Sequence, residues 1–335
     1  MSATLNPALG KHEISPEQET SRNRALRSKN KQRIGQTEGK TMIIDEQGRL
    51  DASNYTKYEV DGVNLSVFEA GDRANPTLVM FHGAPHNTQE FRFNIPALLD
   101  AGFHIVAADH LGAGDSDRPM EVDLYSGEKD YERAIALMDK MGLDQFYIDC
   151  GDRGSLPGWM IATRHPERVL GIISENVTHL NGFFTSGITQ KRHSWYMWYF
   201  QFDVAKEALA ADDWALARAF FDYHPDFQEF ILQDWLRPNG LEASWLNWYR
   251  STVHPDKHTF ATLPNLKCPA LILYTMNDPY IASEQLAPGN MYCDGPLEMK
   301  LIDGAGHFIA RNAPERFNAA VIDFIERQEK IRTSQ

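Results

Sequence analysis

Six short apolar runs, separated by stretches of helical periodicity, constrain the fold of this chain more than any other feature. They are TLVMFHG (77–83), HIVAADH (104–110), QFYIDCGD (145–152), VLGIISENV (169–177), PALILYTMND (269–278) and LEMKLIDGAGH (297–307). Most are near-continuous in apolar residues rather than alternating, which is how strands read when a parallel sheet buries them on both faces. Between two of them Tyr131, Ile135, Met138 and Met141 fall on one helical stripe, and Phe317, Val321, Phe324 and Ile325 do the same near the end of the chain. This alternation predicts an α/β architecture, a mostly parallel, doubly wound sheet. Upstream, YTKYEV and VNLSVFEA alternate on either side of Asp61-Gly62 and predict a hairpin.

One interval breaks the alternation. Residues 178–258 contain no convincing strand and hold six of the seven tryptophans, Trp195, Trp198, Trp214, Trp235, Trp245 and Trp248. The economical reading is a helical cap inserted into an α/β core formed by residues 46–177 and 259–335. Many of these indoles would form the packing of the cap itself. Others would face the carboxyl ends of the strands, where open α/β sheets bind ligands. Residues 1–45 stand apart. Residues 1–40 carry eight Lys and Arg against four Glu, so the chain's net charge of −13 divides into about +4 there and −17 elsewhere. The segment is rich in Ser, Asn, Gln and Lys and poor in aromatic and β-branched residues, which predicts a mobile polar arm. Glu13, Glu17 and Glu19 argue against a targeting peptide.

The acidic balance is the wrong sign for nucleic acid or anionic lipid, so the expected partners are a small-molecule substrate and water, without nucleic acid or membrane. No window approaches the roughly 18 consecutive apolar residues of a spanning helix, and the amino terminus has no apolar signal core; a cytoplasmic location is expected. Cys150, Cys268 and Cys293 are too few and too scattered for a disulfide framework or a zinc ligand set, so no metal or other cofactor is expected. Oligomeric state is not legible.

Chemistry is best sought where polar residues end strands. Cys150-Gly151-Asp152-Arg153-Gly154-Ser155 lies between the strand FYID and a helix, and the small residues two before and two after Asp152 suit a nucleophile elbow. Ser155 is a poor rival, because Arg153 and Pro157 occupy its flanking positions; Ser116 lies in a loop. Asp278 ends the run LILYTMND and His307 follows LIDGAG, completing the order nucleophile, acid, histidine. His82-Gly83-Ala84-Pro85 directly after a strand would supply the Ala84 N–H as an oxyanion donor beside that of Arg153, with a cis Ala84-Pro85 bond compatible with this role.

Over residues 50–330 the sequence resembles the α/β-hydrolase superfamily, and within it the branch of epoxide hydrolases and haloalkane or fluoroacetate dehalogenases. The resemblance is carried by FHGAP, ADHLGAGDSDRP, GDRG with HPERV beginning thirteen residues after Asp152, LYTMNDP and GAGHF. It implies an epoxide hydrolase in which Asp152 forms an alkyl ester, His307 oriented by Asp278 activates water, and Tyr196 and Tyr249 serve the leaving oxygen. Arg153, Trp195 and Trp248 are the expected substrate contacts. Three departures bear on this. Cys150-Gly151 replaces the usual Gly-His. Arg153 stands where epoxide hydrolases and haloalkane dehalogenases carry Trp. Leu156 replaces the second arginine of fluoroacetate dehalogenases. The alternatives are a hydrolytic dehalogenase using the same triad and a non-catalytic binder of small ligands. For Arg153 three roles are open: ionising Asp152, binding a polar group of the substrate, or pairing with an acid of the cap.

Overall fold

The structure, a computed structural model, describes residues 42–221, 226–253 and 262–334. Eight strands form one sheet in the order β1-β2-β4-β3-β5-β6-β7-β8. They are β1 (Tyr55–Val60), β2 (Val63–Ala70), β3 (Thr77–Phe81), β4 (His104–Ala108), β5 (Phe146–Gly151), β6 (Val169–Glu175), β7 (Ala270–Tyr274) and β8 (Leu297–Leu301). The expected hairpin is present, with Val60 opposite Val63 and both Asp61 and Gly62 at positive φ. β2 is antiparallel to β1 and β4, and every pairing from β4 to β8 is parallel. β3 and β4 are buried throughout, as their unbroken apolar runs require. β8 differs: Met299, Lys300 and Leu301 are exposed, because this strand has a neighbour on one side only.

The helix Gly127–Met141 buries Met138 and Met141 of the expected stripe together with Ala134 and Leu137, while Tyr131 and Ile135 are only half-buried; Ser126 caps its start and Gly142 is in the left-handed conformation at its end. The final helix, Pro314–Thr333, buries Phe317, Val321, Phe324 and Ile325. Apolar clusters lie on both faces of the sheet. The folded body takes in Ile43 and Ile44, which pack on one cluster, ahead of the expected boundary at residue 46. The remainder of the expected arm lies outside the described residues.

Between β6 and β7 the described residues form helices and no strand. Tyr196, Phe200, Phe227, Trp235 and Trp245 of this insertion belong to the same apolar cluster as Val79, Phe81 and Ile148 of the sheet. The Trp235 and Trp245 rings stack at 5.0 Å, and Trp245 meets Phe200 edge-on at 4.5 Å. Trp195 and Trp198 are instead about half exposed.

Candidate active site

The site gathers at the carboxyl ends of four parallel strands. Beyond β5 the chain turns through a single helical turn, Asp152–Gly154, into the helix Ser155–Arg164. Asp152 has a φ of 45°, a left-handed conformation that only a tight turn imposes on a residue other than glycine. The turn is feasible because position 154 is glycine: a Cβ there would lie 2.2 Å from the carbonyl oxygen of Phe81. Gly83 is likewise confined, since its Cβ would sit 3.0 Å from that of Asp152.

The Asp152 carboxylate is held from two sides. Its Oδ1 accepts the Ala84 N–H at 2.7 Å, and the Arg153 N–H also bonds to the carboxylate. The Ala84-Pro85 peptide is cis. Oδ2 lies 3.3 Å from Nε2 of His307, which follows β8, while Nδ1 of His307 donates to Oδ2 of Asp278 at 2.7 Å. Asp278, beyond β7, is itself fixed by the N–H groups of Tyr280 and Ile281, which donate to its Oδ1 at 2.8 and 3.0 Å.

With a carboxylate on each nitrogen, both ring positions of His307 act as donors, the arrangement of an imidazolium. Burial works against that charge, but Asp278 and Asp152 outweigh it and raise the His307 pKa well above the usual histidine range. The converse holds for Asp152. Burial would raise its pKa, but His307 and the Ala84 and Arg153 N–H groups lower it, so the resting pair is carboxylate and imidazolium.

Facing this pair, Tyr196 and Tyr249 meet edge-on at 5.6 Å and interact through their hydroxyls. Burial, with the Asp152 charge adding to it, pushes both phenols well above their ordinary range, so both keep their protons. Asp152, His307, Ala84 and the two tyrosines line one space of about 220 Å³. A second, of about 470 Å³, shares Asp152 and Tyr249 and is walled by apolar side chains that include Leu156, Phe183, Met197, Trp248 and Ile281. The site thus combines an ionised carboxylate, a histidine linked to a second acid, backbone donors on the first carboxylate and a pair of neutral phenols.

Of the expected substrate contacts, Trp195 takes another position, and Arg153 lines the larger space with its charge paired beneath it. Trp195 is 53% exposed, with its ring against Tyr196 and Tyr199, and lines neither of these spaces. It is the immediate neighbour of Tyr196, about 100° away around the helix, and with Tyr196 turned inward Trp195 turns out. The Arg153 side chain is buried and bound in parallel to Asp130, Nε to Oδ2 at 3.0 Å and Nη2 to Oδ1 at 3.1 Å. Asp130 belongs to the helix Gly127–Met141, so the partner is an acid of the sheet's own helical layer and not one of the insertion. Its charge is answered there, while Nη1 of the same guanidinium has no hydrogen-bond partner among the described residues. Trp248 lies 5.8 Å above it and walls the larger space.

Sequence reasoning missed Tyr280, whose ring packs 5.0 Å from His307 and 5.5 Å from Tyr196 while its hydroxyl donates to the Phe220 carbonyl. Its place two residues after Asp278 was the available signal. Ser116, the weakest rival nucleophile, is buried and occupied, donating to the Asp109 carbonyl and accepting the Ser66 N–H.

Comparison with known proteins agrees with this architecture. The family model of the alpha/beta hydrolase fold matches residues 76–312. Epoxide hydrolase A of Mycobacterium tuberculosis is 26% identical over 310 residues, covering 80% of this chain and 95% of that protein. Epoxide hydrolase 1 of Caenorhabditis elegans is 27% identical over 282 residues, covering 79% and 68%. Among solved structures, one described under novel epoxide hydrolases of the alpha/beta hydrolase superfamily, from metagenomes of hot environments, superposes with a TM-score of 0.70 at 25% identity, covering 81% of this chain and 98% of its own. A Bacillus megaterium epoxide hydrolase has the same fold, with a TM-score of 0.69 at 23% identity over 81% of this chain and all of that one. The match over residues 76–312, on a sheet of this order with its polar residues at the strand ends, makes the chain a member of the α/β-hydrolase family.

Proposed function

We propose that this protein opens small-molecule epoxides to vicinal diols. The observation that carries the reading is the sharing of one space by the Asp152 carboxylate and two neutral buried phenols, Tyr196 and Tyr249. An alkyl carbon of an epoxide is open to attack by a carboxylate, and the departing oxygen needs a donor whose hydrogen bond strengthens as charge grows on it. Phenols in an apolar enclosure meet that need. Named relatives that are epoxide hydrolases support the same reading.

The geometry supports the following steps. Oδ1 is engaged by Ala84, so Oδ2 is the attacking oxygen; it bonds to one epoxide carbon, the carbon–oxygen bond breaks, and a tyrosine proton passes to the released oxygen. Ester formation removes the Asp152 charge, one of the causes that keep His307 protonated; its pKa falls, and the imidazolium proton passes through the new hydroxyl to the tyrosinate. The neutral imidazole, oriented by Asp278, takes a proton from water as that water attacks the ester carbonyl. The oxyanion forms against the Ala84 and Arg153 N–H groups. Collapse breaks the ester carbon–oxygen bond, the departing oxygen takes the proton of the added hydroxyl, and the diol leaves with Asp152 again a carboxylate, His307 again an imidazolium and both tyrosines neutral.

Intact-protein mass spectrometry under single turnover with an aryl epoxide tests the reading. The expected result is a transient adduct on Asp152, with no turnover at early times in Asp152→Asn. Slow recovery of the variant by amide hydrolysis is compatible with the mechanism. Full activity in the freshly purified variant, or diol formed with no adduct, overturns it. Halide release from haloalkanes or haloacetates tests the dehalogenase alternative, and substrate bound without reaction tests the non-catalytic one.

A further inference from the structure

The chemistry above makes no use of Glu175 and Asn176, the buried pair at the end of β6. Asn176 has a φ of 60°. From this turn its Nδ2 donates to the backbone carbonyl of His307 at 2.8 Å, while its Oδ1 accepts the N–H of Thr275, just beyond β7, at 3.0 Å. Glu175 grips the other side of the same segment. Its Oε2 accepts the Ala310 N–H at 2.6 Å, and its carboxyl also bonds to the Ile309 backbone. The acid is packed against the nucleophile's strand as well, since a Cβ on Gly151 would lie 3.2 Å from the Glu175 Cβ. Burial, with the neighbouring Asp149 adding to it, raises the Glu175 pKa well above the carboxylate range, so the group holds these amides as a neutral acid.

We infer that Glu175 and Asn176 form a backbone clamp that fixes the His307 imidazole relative to Asp152, so that both are positioning residues for hydrolysis of the ester. This rests on the proposed Asp152 ester. Neither side chain needs to touch substrate. His307 must hold an attacking water in line with the ester carbonyl, and a shift of about 1 Å in such an alignment can cost roughly 100-fold in rate. The nucleophile is less dependent on the clamp, because its carboxylate is held by Ala84 and its own elbow.

Three variants separate this role from simple structural support. Glu175→Gln keeps a neutral acceptor of nearly the same shape, Glu175→Leu removes it, and Asn176→Gly removes the donor while tolerating the positive φ. Ester formation and decay are followed by rapid quenching and intact mass with an aryl epoxide, with near-ultraviolet circular dichroism to monitor the fold. All three are expected to form the ester close to the wild-type rate. Glu175→Leu and Asn176→Gly should then hydrolyse it about 10-fold more slowly or worse, and Glu175→Gln should decay nearly as the wild type does. The inference is overturned if the Leu and Gly variants hydrolyse the ester normally. It is equally overturned if Glu175→Gln is as slow as Glu175→Leu, since the acid would then act through its charge, or if both steps slow together. Should Glu175→Leu not fold, Asn176→Gly carries the comparison. Absence of any ester in the wild-type protein overturns the underlying mechanism as well, so the two failures are distinguishable.

Discussion

At His307 the charges on either side decide when the residue can work. With Asp152 ionised the imidazole is held protonated, and its pKa falls once that charge is lost to the ester. His307→Gln is therefore expected to open the epoxide and stall as a stable adduct, seen as a persistent mass increase. The wild-type enzyme should show the same stall reversibly in acid. The lowered Asp152 pKa keeps the nucleophile ionised below the usual carboxylate range, whereas hydrolysis needs neutral His307 and fails as pH falls through the pKa of the intermediate. Quenching at successively lower pH should reveal rising ester. A fully occupied adduct that decays equally fast at acidic and neutral pH would contradict this assignment. The meeting of Asp152, Asp278 and His307 was legible in the sequence because each lies at the end of a strand run, and strand ends converge in a parallel sheet. The Arg153–Asp130 pair was not, because 23 residues separate its partners and no local periodicity links them.

At the scale of elements, the elbow and the β3 turn are locked together by close backbone contact. Gly154→Ala would drive a methyl group into the carbonyls of Phe81 and His82, at 2.2 and 2.9 Å from the new Cβ. Backbone cannot step aside as a side-chain tip can, so the change is expected to cost about 1–3 kcal/mol in urea denaturation and most of the activity. An unchanged denaturation midpoint would show that the turn is looser than this. The insertion contributes Tyr196 and Tyr249 from two separate helices, Trp195–Tyr199 and Asn247–Thr252. Either Phe substitution alone should slow ester formation yet leave turnover, because the partner phenol still donates. The double variant should lose nearly all alkylation while binding substrate within about 1 kcal/mol of the wild type. A near-native alkylation rate in Tyr196→Phe/Tyr249→Phe would assign the oxygen to another group. The strand runs and the stripe of the final helix could be read in advance because burial imposes a pattern on them. Which indoles of the insertion face inward could not, since helices this rich in aromatic residues are apolar on several faces and Trp195 and Tyr196 look equally fit for the site.

For the molecule as a whole, the charge beneath the site and the continuity of the core matter most. Asp130 answers the buried Arg153 guanidinium, and Asp130→Asn would leave that cation without its counter-charge. A loss of about 3–5 kcal/mol is expected by urea denaturation, and a loss below about 1 kcal/mol would mean that other groups or water carry the charge. The apolar cluster that joins Tyr196, Phe200, Trp235 and Trp245 to Val79, Phe81 and Ile148 has a consequence for traffic through the site. A lid that swung away as a rigid plate would have to tear that shared core open and wet it on every cycle, at a cost that scales with the apolar area exposed. On the proposed reading, epoxide and diol should therefore pass by the breathing of lining side chains such as Met197 and Phe183 rather than by the swing of a gate.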